Sequence, residues 1–330
     1  MERMGHPNKF QKLIFEPKQK DIGKRLDVFL SERVQDWSRS RLKKLIDDGD
    51  VLVDETRAKS SYKLRENDAI SVELKVKAFD AFEPEDIPLD IVFEDKYLAV
   101  INKPAGMVVH PGAGVSSGTL ANAIAWHFKF PTLDVEDTER KPTAENQNRV
   151  GIVHRLDKDT SGLIIIAKNQ VTHDRLAEQF RSRTIYKSYI ALVHGFVRKL
   201  SGKIDEPIAR DRKNRVKMAV DKRGRNAHSV YKVRQRFERY TLLDVRIKTG
   251  RTHQIRVHLA HLNHPVVGDR TYNAGRDGTI QDAQLRKEVK NLNRFFLHAE
   301  KLSFIHPVSK EKLEFVQPMP GELLEVLKSI

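Results

Sequence analysis

The sequence predicts an α+β chain: a large domain with a mixed, mainly antiparallel sheet flanked by helices, behind a small N-terminal α/β domain. Three observations lead there. At 330 residues the chain is longer than one hydrophobic core usually grows, about 250 residues. Strand-like runs "LIIIAK", "SYIALVHG", "SVYKVRQRF" and "TLLDVRIK" alternate with helix-like "THDRLAEQFRSR" and "HQIRVHLAHL". The last two strand runs are separated only by a short "ERY" link, which makes an antiparallel hairpin.

Taken in order, residues 1–14 read as a flexible polar tail and 15–76 as the small domain. There, Leu26, Phe29, Leu30 and Val34 recur at helical spacing, and Ser38 or Ser40 caps a second helix whose Leu42, Leu45 and Ile46 share a face. Gly49 ends that helix, and "VLV" and "AISVEL" supply short strands. Residues 77–90, rich in Pro and acids, read as a linker to the large domain at 91–330. That domain opens with a buried strand at Tyr97 to Ile101 and a turn at Lys103-Pro104-Ala105-Gly106. "PGAGVSSGTL" is a turn before the helix "TLANAIAWHF", since its glycines lack the spacing and βαβ setting of a dinucleotide loop. Stretches 132–149 and 273–294 are surface loops or insertions, the latter partly helical.

Composition narrows the function. Zero cysteines exclude disulfides, thiolate nucleophiles and Cys-ligated metals. No apolar run approaches the ~18–20 residues that cross a bilayer, and the N-terminus lacks the apolar segment of a secretory signal, so the expected place of work is the cytoplasm with no membrane partner. The formal net charge is +15, and between Arg210 and Arg256 sixteen Lys or Arg face four acids (Asp211, Asp221, Glu238, Asp244). Cations packed this densely repel unless a polyanion neutralises them, which is the footprint of a nucleic-acid protein. Arg39, Arg41, Lys43 and Lys44 on and around the second helix of the small domain either grip phosphates or form a solvated face.

The stretch "GIVHRLDKDTSGLIIIAK" (151–168) interrupts strand-like sequence, Ile152-Val153 and Leu163 to Ala167, with His154, Arg155, Asp157, Lys158 and Asp159. A calcium loop would need a bidentate acid where Lys168 stands, and an aspartyl-phosphate enzyme would need an acidic pair after a later strand. His253, His258, His261 and His264 crowd one region without the spacing of a metal motif, and read as lining a nucleic-acid surface or satisfying backbone carbonyls. What remains is a carboxylate, Asp157, flanked by Arg155 and Lys158. Cationic neighbours favour its charged form, as suits a nucleophile or base; the alternative is a salt bridge at a turn.

"HRLDKDTSG", "KSYIALVHG", "TGRTHQIRVHLAHLNHPVVGD" and "FLHAEKLSFIHP" resemble, in this order, the motifs of the RluA-type family of RNA pseudouridine synthases over residues 91–318. "RLDVFL…SRSRLKKLIDDGDVLVD" resembles the S4 RNA-binding domain over Lys20 to Leu74, and with it the chain is similar to the large-subunit ribosomal RNA synthase D group. One departure is Asn273 in "GDRTYNAG", where the family often has Gly; Asn tolerates the left-handed backbone such a turn needs. The resemblance implies isomerisation of uridine to pseudouridine in RNA, most of all 23S ribosomal RNA, by a monomer needing neither cofactor nor metal, with no role for DNA. It implies Asp157 as the catalytic carboxylate, acting as nucleophile or base at the ribose. It implies Arg256 as its ionic partner, Tyr189 as the pocket aromatic, and Arg155 as the residue filling the stack left by a flipped base. Arg251 and His253 are expected to face the same site. Transfer RNA or another ribosomal site is the alternative substrate. A non-catalytic RNA-binding or ribosome-assembly factor is the alternative class, which would not require an anion amid cations.

Overall fold

A computed structural model describes residues 10–34, 39–75, 83–112, 114–129, 151–214 and 216–330. Side chains 10–12, 39–41, 44, 74, 75 and 170 lie outside that description. The described residues up to Lys75 form one compact unit and those from Glu83 onward another.

The smaller unit runs β1 (Phe10–Phe15), α1 (Leu26–Arg33), α2 (Arg39–Asp48), β2 (Val51–Val53), β3 (Thr56–Arg57) and β4 (Ile70–Lys75). Its strands form an antiparallel sheet in the order β1-β4-β2-β3. Leu26, Phe29 and Leu30 of α1 and Leu42, Leu45 and Ile46 of α2 are buried against Val51, Val53, Ile70 and Val72, as their spacing requires. Burying each such side chain contributes about 2 kcal/mol. Gly49 stops α2 with φ +85°. Ser38 and the side chain of Ser40 lie outside the described residues, so the cap expected from them does too.

Residues 10–14, read from sequence as part of a tail, belong instead to β1. Leu13 and Phe15 pack on the core while Ile14 stays exposed. A single edge strand with one outward Ile gives too weak an alternation to be recognised. Residues 1–9 are not described.

The larger unit runs β5 (Ile91–Glu94), β6 (Leu98–Lys103), α3 (Leu120–His127), β7 (Ser161–Ala167), α4 (Gln170–Arg181), β8 (Tyr186–His194), β9 (Ser201–Asp205), β10 (Ile208–Arg210), β11 (Met218–Val220), β12 (His228–Arg236), β13 (Tyr240–Ile247), α5 (Gln254–His261), α6 (Ala283–Leu292), β14 (Leu297–Ile305), β15 (Lys312–Val316) and α7 (Gly321–Lys328). Among the described residues nine strands make one sheet, β5-β6-β7-β14-β8-β13-β12-β9, with β15 on β14; only β7 and β14 are parallel. The sheet is therefore mixed and mainly antiparallel. β12 and β13 form the expected hairpin, with a bulge between Val233 and Gln235. "LIIIA" is apolar throughout because β7 is covered on both sides: Ile164 and Ile166 join the main core, Leu163 and Ile165 a second core with Leu176 of α4.

Two further expectations are corrected, and the described part of the linker gains detail. Ile152-Val153 is not a strand: Ile152 makes one isolated bridge to Ile166, and the chain turns away into the charged loop. Residues 83–90 are irregular yet anchored, with Asn122 Nδ2 donating to the Glu83 carbonyl (2.7 Å) and the Glu85 carboxylate accepting from Gly118 N–H. The left-handed turn falls on Ala274 (φ 51°) and Gly275 rather than on Asn273. Asn273 is buried, and its amide instead donates to Asp277 (2.5 Å). The 132–149 stretch lies outside the described residues, whereas 273–294 is partly helical through α6.

Candidate active site

The charged loop enters β7 where no side chain could fit: Gly162, at φ +108°, would place a Cβ 2.3 Å from the Ala299 carbonyl oxygen of the parallel neighbour β14. Below the loop, the fully buried Lys103 donates to the carbonyls of Pro104 (2.7 Å), Met107 (2.9 Å) and Lys158 (3.0 Å). Gly106 N–H donates to the same Lys158 carbonyl. Burial lowers the Lys103 amine to about 7, with the charge of Arg294 adding to the effect and those of Asp159 and Asp157 opposing it. His154 accepts the Ile165 N–H (3.0 Å) and lies against Phe180; burial lowers it to about 3, so it is a neutral strut rather than one of the loop's charges.

These contacts present Asp157 with its side chain 18% exposed. Arg256, in the first turn of α5, donates Nη1 to Asp157 Oδ2 at 3.2 Å. Its fork goes elsewhere: Nε and Nη2 donate to the two oxygens of fully buried Asp269 at 2.7 and 2.9 Å. Asp269 also accepts the N–H groups of Thr271 and Tyr272. The guanidinium lies 4.2 Å from the Phe295 ring centroid and 5.0 Å from that of Tyr272. Burial works against the Arg256 charge, but the Asp269 hydrogen bonds and both carboxylates outweigh it and push the guanidinium up. Arg256 is thus a fixed cation placed by Asp269 and offered to Asp157.

Arg155, Asp157, His253 and Arg256 line both a cavity of about 740 Å³ and a neighbouring recess of about 60 Å³. Tyr189, Ile247, Leu297 and Arg251 also line the recess. Tyr189 sits on β8, buried, and burial followed by the charge of Asp157 holds its hydroxyl well above the ordinary tyrosine range, so it remains a neutral phenol. Arg155 is exposed. Arg251 is half-buried and donates Nε to the Asn226 carbonyl (3.3 Å). His253 sits in the left-handed region (φ 55°), and its Nδ1 is 2.9 Å from the Tyr272 hydroxyl. That hydroxyl also accepts the Met218 N–H. Burial lowers the imidazole, against the pull of Asp157.

The sequence-selected Asp157, Arg155, Tyr189, Arg251, His253 and Arg256 therefore share one site. Arg39, Arg41, Lys43 and Lys44 lie on α2 of the smaller unit, where Lys43 is exposed and the other three side chains lie outside the described residues. Among the clustered histidines, His258 bonds Ser229 Oγ and the Glu206 carbonyl, and His264 bonds the His194 carbonyl. Asp269, Tyr272, Phe295 and Lys103 escaped the sequence reading. Only Asp269 carried a signal, as the acid closing "HPVVGD".

A carboxylate held by a guanidinium, open to a cavity and next to a buried phenol, can add to an electrophilic carbon or take a proton in a confined space. The profile of the RNA pseudouridylate synthase family matches residues 97–261, and that of the S4 domain matches 24–70. The chain is 41% identical over 295 residues to the ribosomal large subunit pseudouridine synthase D of Xanthomonas campestris, spanning 88% of this chain and 83% of that one. It is 41% identical over 291 residues to the enzyme of the same name from Escherichia coli (87% and 85%). To an uncharacterised RNA pseudouridine synthase of Aquifex aeolicus it is 43% identical over 292 residues (87% of each). Human RNA pseudouridylate synthase domain containing 4 shares the fold, with a TM-score of 0.53 at 24% identity over 72% of this chain and 92% of that one. Motifs, site and relatives agree: the chain belongs to the RluA-type family of RNA pseudouridine synthases, with an S4 domain ahead of the matched synthase segment.

Proposed function

We propose that this chain converts specific uridines of 23S ribosomal RNA to pseudouridine, working as a cytoplasmic monomer in which residues 15–76 grip RNA, 77–90 link, and 91–330 carry out the chemistry. The observation that carries the reading is Arg256, held by Asp269 and two aromatic rings, bonded to Asp157 at the rim of the recess that holds Tyr189. The target nucleotide must leave its stack, at a few kcal/mol, to reach that recess. Arg155, exposed at the rim, fills the vacated space. Asp157 then acts on the ribose, as nucleophile at C1′ or as base at C2′. The N1–C1′ bond breaks with its electron pair leaving on uracil, the ring turns, and C5 joins C1′ as the Asp157 ester bond breaks or, on the base route, as the C2′ proton returns. The C5 proton is lost and N1 gains one, so substrate and product are isomers.

Tyr189 stacks on the freed base, and its phenol donates to it. Arg256 keeps Asp157 in one orientation throughout, while Arg251 and His253 close the recess. The relatives named for the large ribosomal subunit support the choice of RNA. Mapping pseudouridines in the large-subunit RNA of a deletion strain tests it: defined sites should be lost and should return with the wild-type gene. An unchanged map would refute the ribosomal reading.

A further inference from the structure

The face of β9, β12, β13 and β8 that lies opposite Tyr189 carries cations the catalytic site does not use. Neighbouring residues of a strand point to opposite faces, so register assigns the sides. Tyr189 pairs with Val245 and Val245 with Tyr231, on the side whose Tyr189 and Ile247 line the recess. On the other side Ser188 pairs with Arg246, Arg246 with Val230, and Val230 with Lys203. Lys232 stands two residues from Val230, and Lys248 two from Arg246. Lys203, Lys232, Arg246 and Lys248 are all exposed, and among the described residues none has an ion-pair partner within 4 Å. The acids of this face have nearer partners: Asp205 bonds His228 while also feeling the charges of Lys203 and Lys248, and Asp244 and Glu300 pair with Arg234. The Arg246 guanidinium also lies 4.8 Å over the ring of Tyr186, itself 36% exposed, which makes a platform of cation and aromatic.

We propose that this reverse face is a second RNA-docking surface, which takes the phosphates of a substrate segment running behind the sheet while the target uridine occupies the cleft. The proposal rests on the reading as an RNA pseudouridine synthase and adds the substrate class: an RNA long and folded enough to reach both sides of the sheet, not an isolated stem-loop. A protein partner fits less well, because between the cations only half-buried Val230 and the Tyr186 ring beneath Arg246 offer apolar area and interface cores are depleted in charge. Unpaired cations two strands apart, about 10 Å, suit a backbone read through its charge.

The test compares wild type with Lys203→Gln/Lys232→Gln/Arg246→Gln/Lys248→Gln, and with Arg246→Gln alone in case the fourfold variant is destabilised. Each is titrated across salt concentrations against a domain-sized 23S transcript and against a short stem-loop bearing the same uridine, with pseudouridine scored in parallel. For the long RNA, the slope of log affinity against log salt should become shallower by about 3 in the fourfold variant and by about 1 in the single one. On the stem-loop, affinity and single-turnover rate should stay within about twofold. An unchanged slope on the long RNA, or an equal loss on both RNAs, overturns the surface. Absence of pseudouridine with wild-type protein would instead overturn the enzymatic reading, a failure the binding slopes do not share.

Discussion

Asp269→Asn isolates the contact that sets the pose of Arg256. The substitution replaces one oxygen of the accepting fork with an amide that only donates, facing a guanidinium that only donates. The wild-type bonds are 2.7 and 2.9 Å, between side chains 6% and 0% exposed, so water cannot step in. Breaking a buried ion pair from one side costs about 3–5 kcal/mol. Because the amide keeps one acceptor, the lower end applies, about 3 kcal/mol, or about 6–12 °C in Tm for a unit of this size. The guanidinium then turns towards its remaining anion, and the single 3.2 Å bond to Asp157 becomes a closer grip that draws the carboxylate from the cavity. A displacement of about 1 Å at a reacting group lowers kcat about a hundredfold, while KM, set by RNA contacts elsewhere, stays within about threefold. Tritium release from RNA carrying 5-tritiated uridine gives both constants, and calorimetry gives Tm. An Asp269→Asn enzyme with wild-type kcat and Tm would refute the reasoning.

Other consequences are checked as directly. Tyr189→Phe keeps the ring and loses the phenol; kcat should fall at least about tenfold with RNA affinity within about twofold, and wild-type turnover would remove the hydroxyl from the chemistry. Lys103 supplies a pH signature: its amine is lowered to about 7 when folded but has its ordinary value near 10.5 when unfolded. Between those values the unfolded chain binds the extra proton, so this residue makes stability rise with pH, by roughly 1 kcal/mol per unit. Denaturant titrations at pH 7, 8 and 9 should show that rise, Lys103→Met should flatten it, and an identical slope in both proteins would count against the buried amine. Deleting residues 1–80 should weaken RNA binding or narrow the accessible sites while chemistry persists, and unchanged kinetics on ribosomal RNA would deny that segment a recognition role.

Much of the fold was legible because periodicity reports burial. The apolar residues of α1 and α2, the doubly covered β7 and the β12–β13 hairpin all follow from spacing alone. β1 and the false strand at Ile152-Val153 show the limit, since a short segment is decided by whether a partner strand lies alongside, which no local pattern records. In the site, Asp157 was visible as an anion among cations and Arg256 through its motif. That Arg256 gives its fork to Asp269 was not, because the two stand 13 residues apart and meet only through the path the chain takes after α5. Lys103 reads as a surface lysine at a turn; its burial needs a carbonyl 55 residues away to complete its three acceptors.

The most direct measurement is made on Asp157→Asn, purified and offered ribosomal RNA, with pseudouridine scored at single-nucleotide resolution beside a binding titration and a thermal melt. The account requires RNA affinity and Tm near wild type with no detectable conversion. Conversion by that variant at any rate approaching wild type would contradict it.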